Sequence, residues 1–202
     1  MADVSDDFNR ADEDPLSNGG LWSKPGWGAD YLTVVGNTCR QRTTNLWGTA
    51  YWTQSFQADS YSQHHVNSPG NYCYTGNFLR AAGDLSANYY TAYLHTYVGG
   101  IGNISKVVNG AETALGASPT YVTNGTTFKF SCSGTTLAVD VTGQVQITRT
   151  DSTFASAGFA GIQRASALTN TGCEIDNWVG GPLSTSVIMS VFPLFRPAGG
   201  MA

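Results

Sequence analysis

Glu174 and Asp176, in the run Glu-Ile-Asp-Asn-Trp that ends at Trp178, are the residues whose types and spacing most directly invite chemistry. On a β-strand alternate side chains share a face. Two carboxyl groups about 5–5.5 Å apart are what a retaining glycoside hydrolase sets around its scissile bond. A glutamate acting as the acid would have to come from a distant loop, because Glu13 and Glu112 are the only others in the chain. The alternation is also inconsistent, since Ile175 asks for one inward face and Trp178 for the other, so a bend or bulge is expected here. The expected role is structural, with Asp176 tying its strand to a neighbouring loop through backbone hydrogen bonds. No catalytic residue is assigned, and the protein is not expected to be an enzyme.

Other reaction types leave no spacing to support them. There is no G-x-S-x-G nucleophile elbow, no phosphate-binding G-x-x-x-x-G-K-[ST] and no H-E-x-x-H. His64 and His65 are adjacent, so on a strand they point to opposite faces and cannot chelate one metal as a simple pair. Cys39, Cys73, Cys132 and Cys173 form no C-x-x-C pair, and buried free thiols are expected rather than disulfides. Asp12, Glu13 and Asp14 could bind calcium, but the acid spacing of an EF-hand loop is missing, and a solvated acidic loop is the preferred reading. Neither a metal nor a cofactor is expected.

Binding chemistry has a better candidate. Across Asn88–Thr96, Tyr90, Ala92 and Leu94 form an apolar stripe suited to a core, while Tyr89, Thr91, Tyr93 and His95 share the opposite face. Sugar rings present apolar C–H faces and a rim of hydroxyls, and aromatic platforms beside polar groups suit them. Tyr51 and Arg80, if carried on neighbouring strands of the same sheet, would extend the surface. Tyrosines on an exposed sheet face also arise from β-propensity and cross-strand packing alone, and they serve protein contacts as well.

The elements that must position these residues read as strands. With 24 Gly, 9 Phe, 10 Tyr, 5 Trp and only 12% charged residues, the composition favours short strands and tight turns over helices. Strands are expected at Asp6–Phe8, Tyr31–Arg42 with a turn at Gly36-Asn37, Thr49–Gln57, His64–Val66, Asn77–Ala81 and Asn88–Thr96. More follow at Ile104–Val108, Phe128–Ser133, Thr136–Val141 and Gln144–Arg149, with turn signals about every 8–12 residues. The stretch Phe154–Gly181 reads as a strand, a polar turn and a second strand, a pair that closes a sandwich. One domain is expected over residues 1–181, followed by a last strand or arm at 182–202. In that arm the apolar Val187, Ile188, Met189, Val191, Phe192, Leu194 and Phe195 are candidates for contact with another subunit. Net charge is −4 and the 10 Lys and Arg are scattered, so there is no basic footprint for nucleic acid. No apolar run is long enough to span a bilayer. The acidic start carries no signal-peptide pattern, so no export is expected.

Several motifs fall in a familiar order. DDFNRADEDPLSNGGLW, ISKVVNG, TLAVDVTGQVQI, and GFAGIQR followed by GCEIDNWVGG, together spanning residues 6–181, resemble concanavalin A-like, laminin-G-like jelly-roll domains. The resemblance implies an all-β jelly-roll sandwich of two antiparallel sheets, with the first strand near the last. Laminarinase-like hydrolases of the same broad fold use Glu-x-Asp-x-Glu on one strand, and Glu174 and Asp176 match its first two positions while Trp178 occupies the third. Similar domains occur in bacteriophage tail, fibre and head-decoration proteins and often bind carbohydrate. The implied role is a non-enzymatic virion component, assembled in the host cytoplasm and binding host-surface polysaccharide or decorating the particle. The implied partners are other virion proteins or further copies of the same chain. A purely structural cement protein and, last, a glycan-cleaving hydrolase are the alternatives.

Overall fold

The computed structural model describes residues 2–28, 30–68, 73–82, 87–95, 102–118, 123–166 and 174–183. Fifteen strands follow in order: β1 (Val4–Asp6), β2 (Trp22–Ser23), β3 (Leu32–Val35), β4 (Thr38–Gln41), β5 (Gly48–Trp52), β6 (Ser60–Ser68), β7 (Cys73–Ala81), β8 (Tyr89–His95), β9 (Gly102–Val108), β10 (Ala111–Ser118), β11 (Thr127–Ser133), β12 (Thr136–Val141), β13 (Gln144–Thr150), β14 (Phe159–Ser166) and β15 (Glu174–Pro182). Among the described residues there is no helix.

The strands form two antiparallel sheets. One has eight strands in the order β13-β12-β11-β6-β15-β4-β3, with β1 pairing β15; the other has seven, β10-β9-β8-β7-β14-β5-β2. The fold is a concanavalin A-like jelly-roll sandwich, and the first strand does lie on the last, Val4 opposite Gly180. Four two-residue hairpins carry the left-handed backbone that such turns need. Gly36-Asn37 and Asn109-Gly110, for example, have φ of 61° and 63°, and 50° and 82°.

Three sequence expectations change. The closing stretch is not a paired hairpin: β14 lies between β7 and β5 in one sheet, and β15 between β6 and β4 in the other. Each is central to its own sheet, and its glycines sit where neighbours close in, a Cβ at Gly161 lying 2.1 Å from Ala50 O and one at Gly180 2.8 Å from the Trp178 ring. The strand expected over Thr49–Gln57 ends at Trp52, with Phe56 held separately by an antiparallel bridge to Gly158. The edge strand β10 was not foreseen, because most of its residues are exposed on both faces and leave no period-two signal.

The core between the sheets is aromatic and closed. Trp178 is fully buried, stacked on Trp52 at 5.3 Å and edge-on to Trp22 at 4.6 Å. Its indole donates to Ser62 Oγ at 2.9 Å. Ser62 and His64, on β6, meet Asn77, on β7, in a buried polar cluster. Asn77 Nδ2 donates to Phe128 O, which leaves Oδ1 to accept from Ser62 Oγ at 3.1 Å and from His64 Nδ1 at 3.0 Å. The tautomer follows: His64 carries its proton on Nδ1, and Nε2 accepts from Thr75 Oγ1 at 2.6 Å. Burial pushes the His64 imidazole down to about 3. Cys39 and Cys132 are fully buried thiols that burial pushes up to about 12, and Cys73 is buried too.

The early motif is structural as well. Asp6 is buried and accepts from Phe8 N at 2.8 Å, Arg10 Nη1 at 2.6 Å, Asn18 Nδ2 at 3.2 Å and Trp22 Nε1 at 2.7 Å. One carboxylate thereby fixes the chain between β1 and β2 and seats Phe8 and Trp22 in the core.

Candidate functional site

The outer face of the seven-stranded sheet carries its side chains in rungs set by the strand register. One rung runs Thr49, Gln163, Gly76, Tyr93, Asn103 across β5, β14, β7, β8 and β9. The next runs Tyr51, Gly161, Phe78, Thr91, Ser105. Glu112, Val107 and Tyr89 make a shorter third rung. The two glycines fall on the central strands and lower the middle of the face. At Gly161 the Phe78 ring takes the space, a Cβ there lying 2.5 Å from Phe78 Cζ; at Gly76 the neighbours are Tyr93 and Gln163.

Two loop tryptophans turn this depression into a cleft. Gly28 N donates to Pro25 O at 3.0 Å, closing a turn that presents Trp27. Trp27 stacks on Tyr89 with centroids 4.2 Å apart and planes 16° apart, and meets Phe78 edge-on at 5.5 Å. Trp47, just before β5, packs on Tyr93 at 5.8 Å and Tyr74 at 5.5 Å. The cleft holds about 200 Å³ between these walls and is lined further by Thr49, Thr91, Val107, Glu112 and Gln163.

The polar groups of its floor are organised. Gln163 Nε2 donates to Thr91 Oγ1, which donates to Asn77 O at 3.2 Å. Asn103 Nδ2 donates to Tyr93 OH at 3.1 Å. Burial raises the Tyr93 phenol pKa; the Asn103 bond opposes this, and the neighbouring Glu112 carboxylate adds to it. Tyr89 is raised by burial and then by Glu112. Among the described residues, the Trp27 indole N–H and the Ser105 hydroxyl, on the rung of Thr91, are enclosed without a hydrogen-bond partner. Buried polar groups seldom stay so.

Of the residues read from sequence, Tyr89 and Tyr93 line this cleft. Tyr51 lies on the same face beyond it, edge-on to Phe159 at 5.2 Å. His95 is one rung farther on, against Tyr74 at 4.2 Å, and burial lowers its pKa. Arg80 is a correction. Its φ is 55°, at a register shift where Phe159 faces Ala81 and Gly161 faces Phe78. This bulge breaks the alternation and turns the side chain away from the face. The buried guanidinium instead donates to Ala58 O at 2.8 Å, Phe154 O at 2.7 Å and Gly134 O at 2.8 Å. The candidate arm from Val187 to Phe195 lies outside the described residues. Trp27, Trp47, Glu112 and Gln163 went unassigned by sequence. A tryptophan in the turn Pro-Gly-Trp-Gly is a local signal, whereas only the register unites the other three.

The carboxylate pair belongs elsewhere. Glu174 and Asp176 sit on the eight-stranded sheet. Asn177 has φ of 48°, and the register with β6 steps from Asp176 opposite His65 to Val179 opposite Gln63, the bulge expected from the conflicting faces. Asp176 Oδ1 accepts from Asn177 N at 2.8 Å, within its own strand rather than across to a loop. Glu174 lies 3.8 Å from the Arg40 guanidinium. The acids of the early loop are engaged too: Asp12 accepts from Gly36 N at 2.9 Å, Glu13 pairs with Arg10 at 3.1 Å, and Asp14 pairs with Arg42 at 3.1 Å. Among the described residues, no group of three or more His, Cys, Asp or Glu is placed to hold a metal ion.

Fold and cleft define the class: a concanavalin A-like sandwich with an aromatic recess on the outer face of one sheet. Solved structures of the same architecture include the carbohydrate binding module CBM66 from Bacillus subtilis, with 15% identity and a TM-score of 0.58 over 83% of this chain and 96% of that one. The Bacillus licheniformis β-glucanase is similar at 12% identity and a TM-score of 0.60, over 91% and 99% of the two chains. The carbohydrate recognition domain of Emp46p, in its potassium-bound form, matches at 10% identity and 0.59, over 80% and 88%. At these identities the likeness is one of fold. No family model and no curated protein matches the sequence.

Proposed function

We propose that the protein is a non-enzymatic carbohydrate-binding module whose ligand lies in the cleft between Trp27 and Trp47. The observation that carries this is the pairing of aromatic walls with a polar floor: indole and phenol faces for the C–H surfaces of a sugar, and Thr49, Gln163 and Glu112 for its hydroxyls. A glycan array with the purified chain tests the reading. Binding that Trp47→Ala removes supports it, and an array without a hit overturns it.

Absence of hydrolysis is part of the proposal. Glu174 and Asp176 are on the opposite sheet from the cleft, and the third position of the hydrolase pattern, Trp178, is a core side chain. Among the described residues lining the cleft Glu112 is the one carboxylate, whereas glycoside hydrolysis uses two. A polysaccharide panel should show no cleavage. Cleavage that Glu174→Gln abolishes would replace binding with catalysis. The setting proposed is a virion, on the resemblance of the motif order to phage structural domains, with other particle proteins or copies of the chain as neighbours. Cofractionation with purified particles tests that setting.

A further inference from the structure

The charge of the cleft narrows the class of sugar. Among the described residues lining it, Glu112 is the one charged side chain, and no Lys or Arg among them forms an ion pair with it. Lys24 stands at the border of the cleft, donating to Gly28 O at 2.7 Å and lying 5.1 Å from the Tyr31 ring centroid, and makes no ion pair with Glu112. The carboxylate comes from the exposed edge strand β10, opposite Val107, with Tyr89 on the far side of β9, and it lines the cleft together with two phenol rings and two indoles. Much of the floor's donor capacity is already used internally, Gln163 on Thr91 and Asn103 on Tyr93. Acceptor and π-electron groups therefore dominate the recess, with the Glu112 carboxylate beside the Tyr93 hydroxyl and unpaired with any cation among the described residues. Ring faces attract ammonium groups, a carboxylate accepts from them, and both repel a uronate or sialate.

We propose that the cleft selects a saccharide bearing a free amine, a glucosamine-type residue, with its ammonium held by Glu112 at the rim of the aromatic walls. This rests on the cleft being a glycan site and specifies which glycan. Its consequence is discrimination by one acetyl group: N-acetylation removes the charge while leaving the ring that stacks on the aromatics.

Calorimetry of the full chain with four hexasaccharides tests it: glucosamine hexamer, its fully N-acetylated form, a neutral β-glucan hexamer and a hexagalacturonate. The glucosamine hexamer should bind about tenfold more tightly than its acetylated form, and the uronate should not bind. Glu112→Gln should weaken the glucosamine hexamer about three- to tenfold more than it weakens the acetylated one. Asp140→Asn, an acid on the eight-stranded sheet, removes the same charge from the molecule and should change neither. Equal binding of acetylated and free-amine forms, or equal losses in the two variants, overturns the selectivity and leaves the glycan cleft standing. If no saccharide binds, both fall.

Discussion

Truncating Trp47 to Ala removes a wall that belongs to neither buried cluster, so binding and folding separate at this position. The change should weaken glycan binding by ~1–2 kcal/mol, about five- to thirtyfold, with the unfolding midpoint nearly unmoved. Trp27→Ala, which strips the ring stacked on Tyr89, should lower both. Titration calorimetry alongside urea denaturation checks both halves. Arg80 should behave in the opposite way to Trp47. Arg80→Met keeps the aliphatic stem but leaves three carbonyls without their donor, so stability should fall by about 2 kcal/mol or more while sugar affinity holds. The two residue types look alike in the sequence, an isolated large side chain near a strand end. What separates them is the bulge at Arg80, set by pairing with β14, a strand about eighty positions later in the chain.

At the scale of elements, β8 was legible and its frame was not. The strict alternation from Tyr89 to His95 places Tyr90, Ala92 and Leu94 in the core and the other side chains on the outer face, as the period of two requires. Which strands lie beside it depends on register, and register set the depression at Gly76 and Gly161. Gly161→Ala would bring a Cβ to 2.1 Å from Ala50 O. It should cost roughly 1–3 kcal/mol in urea unfolding and distort the floor under Phe78. On β15 the test is Trp178→Glu, which completes the hydrolase pattern in sequence. The new carboxylate would replace a fully buried indole bonded to Ser62. The variant should lose about 4 kcal/mol or more of stability and acquire no glycanase activity. Soluble expression and circular dichroism report the first, and a reducing-sugar assay the second.

For the whole molecule, the buried polar cluster between the sheets makes stability fall in mild acid. The unfolded chain takes up a proton on His64 near its ordinary value of 6.5, whereas the native state resists down to about 3. Below pH 6.5 the unfolded state therefore binds more protons, and this group withdraws about 1.4 kcal/mol for each pH unit until the native imidazole titrates. Urea midpoints between pH 7 and 4.5 should fall in the wild type and fall less in a His64→Asn variant that folds. The sequence by itself determined the all-β class, the motif order of the sandwich, the inward and outward faces of β8, and the bulge at Asn177. These follow from local periodicity and turn chemistry, which act over a few residues. Tertiary structure alone decided that β14 and β15 part into different sheets, that Arg80 turns away from the binding face, and that Trp27, Trp47, Glu112 and Gln163 converge on Tyr89 and Tyr93. Such convergence depends on which distant strands share a ladder, and pairing across the sheet leaves no periodic trace in either strand.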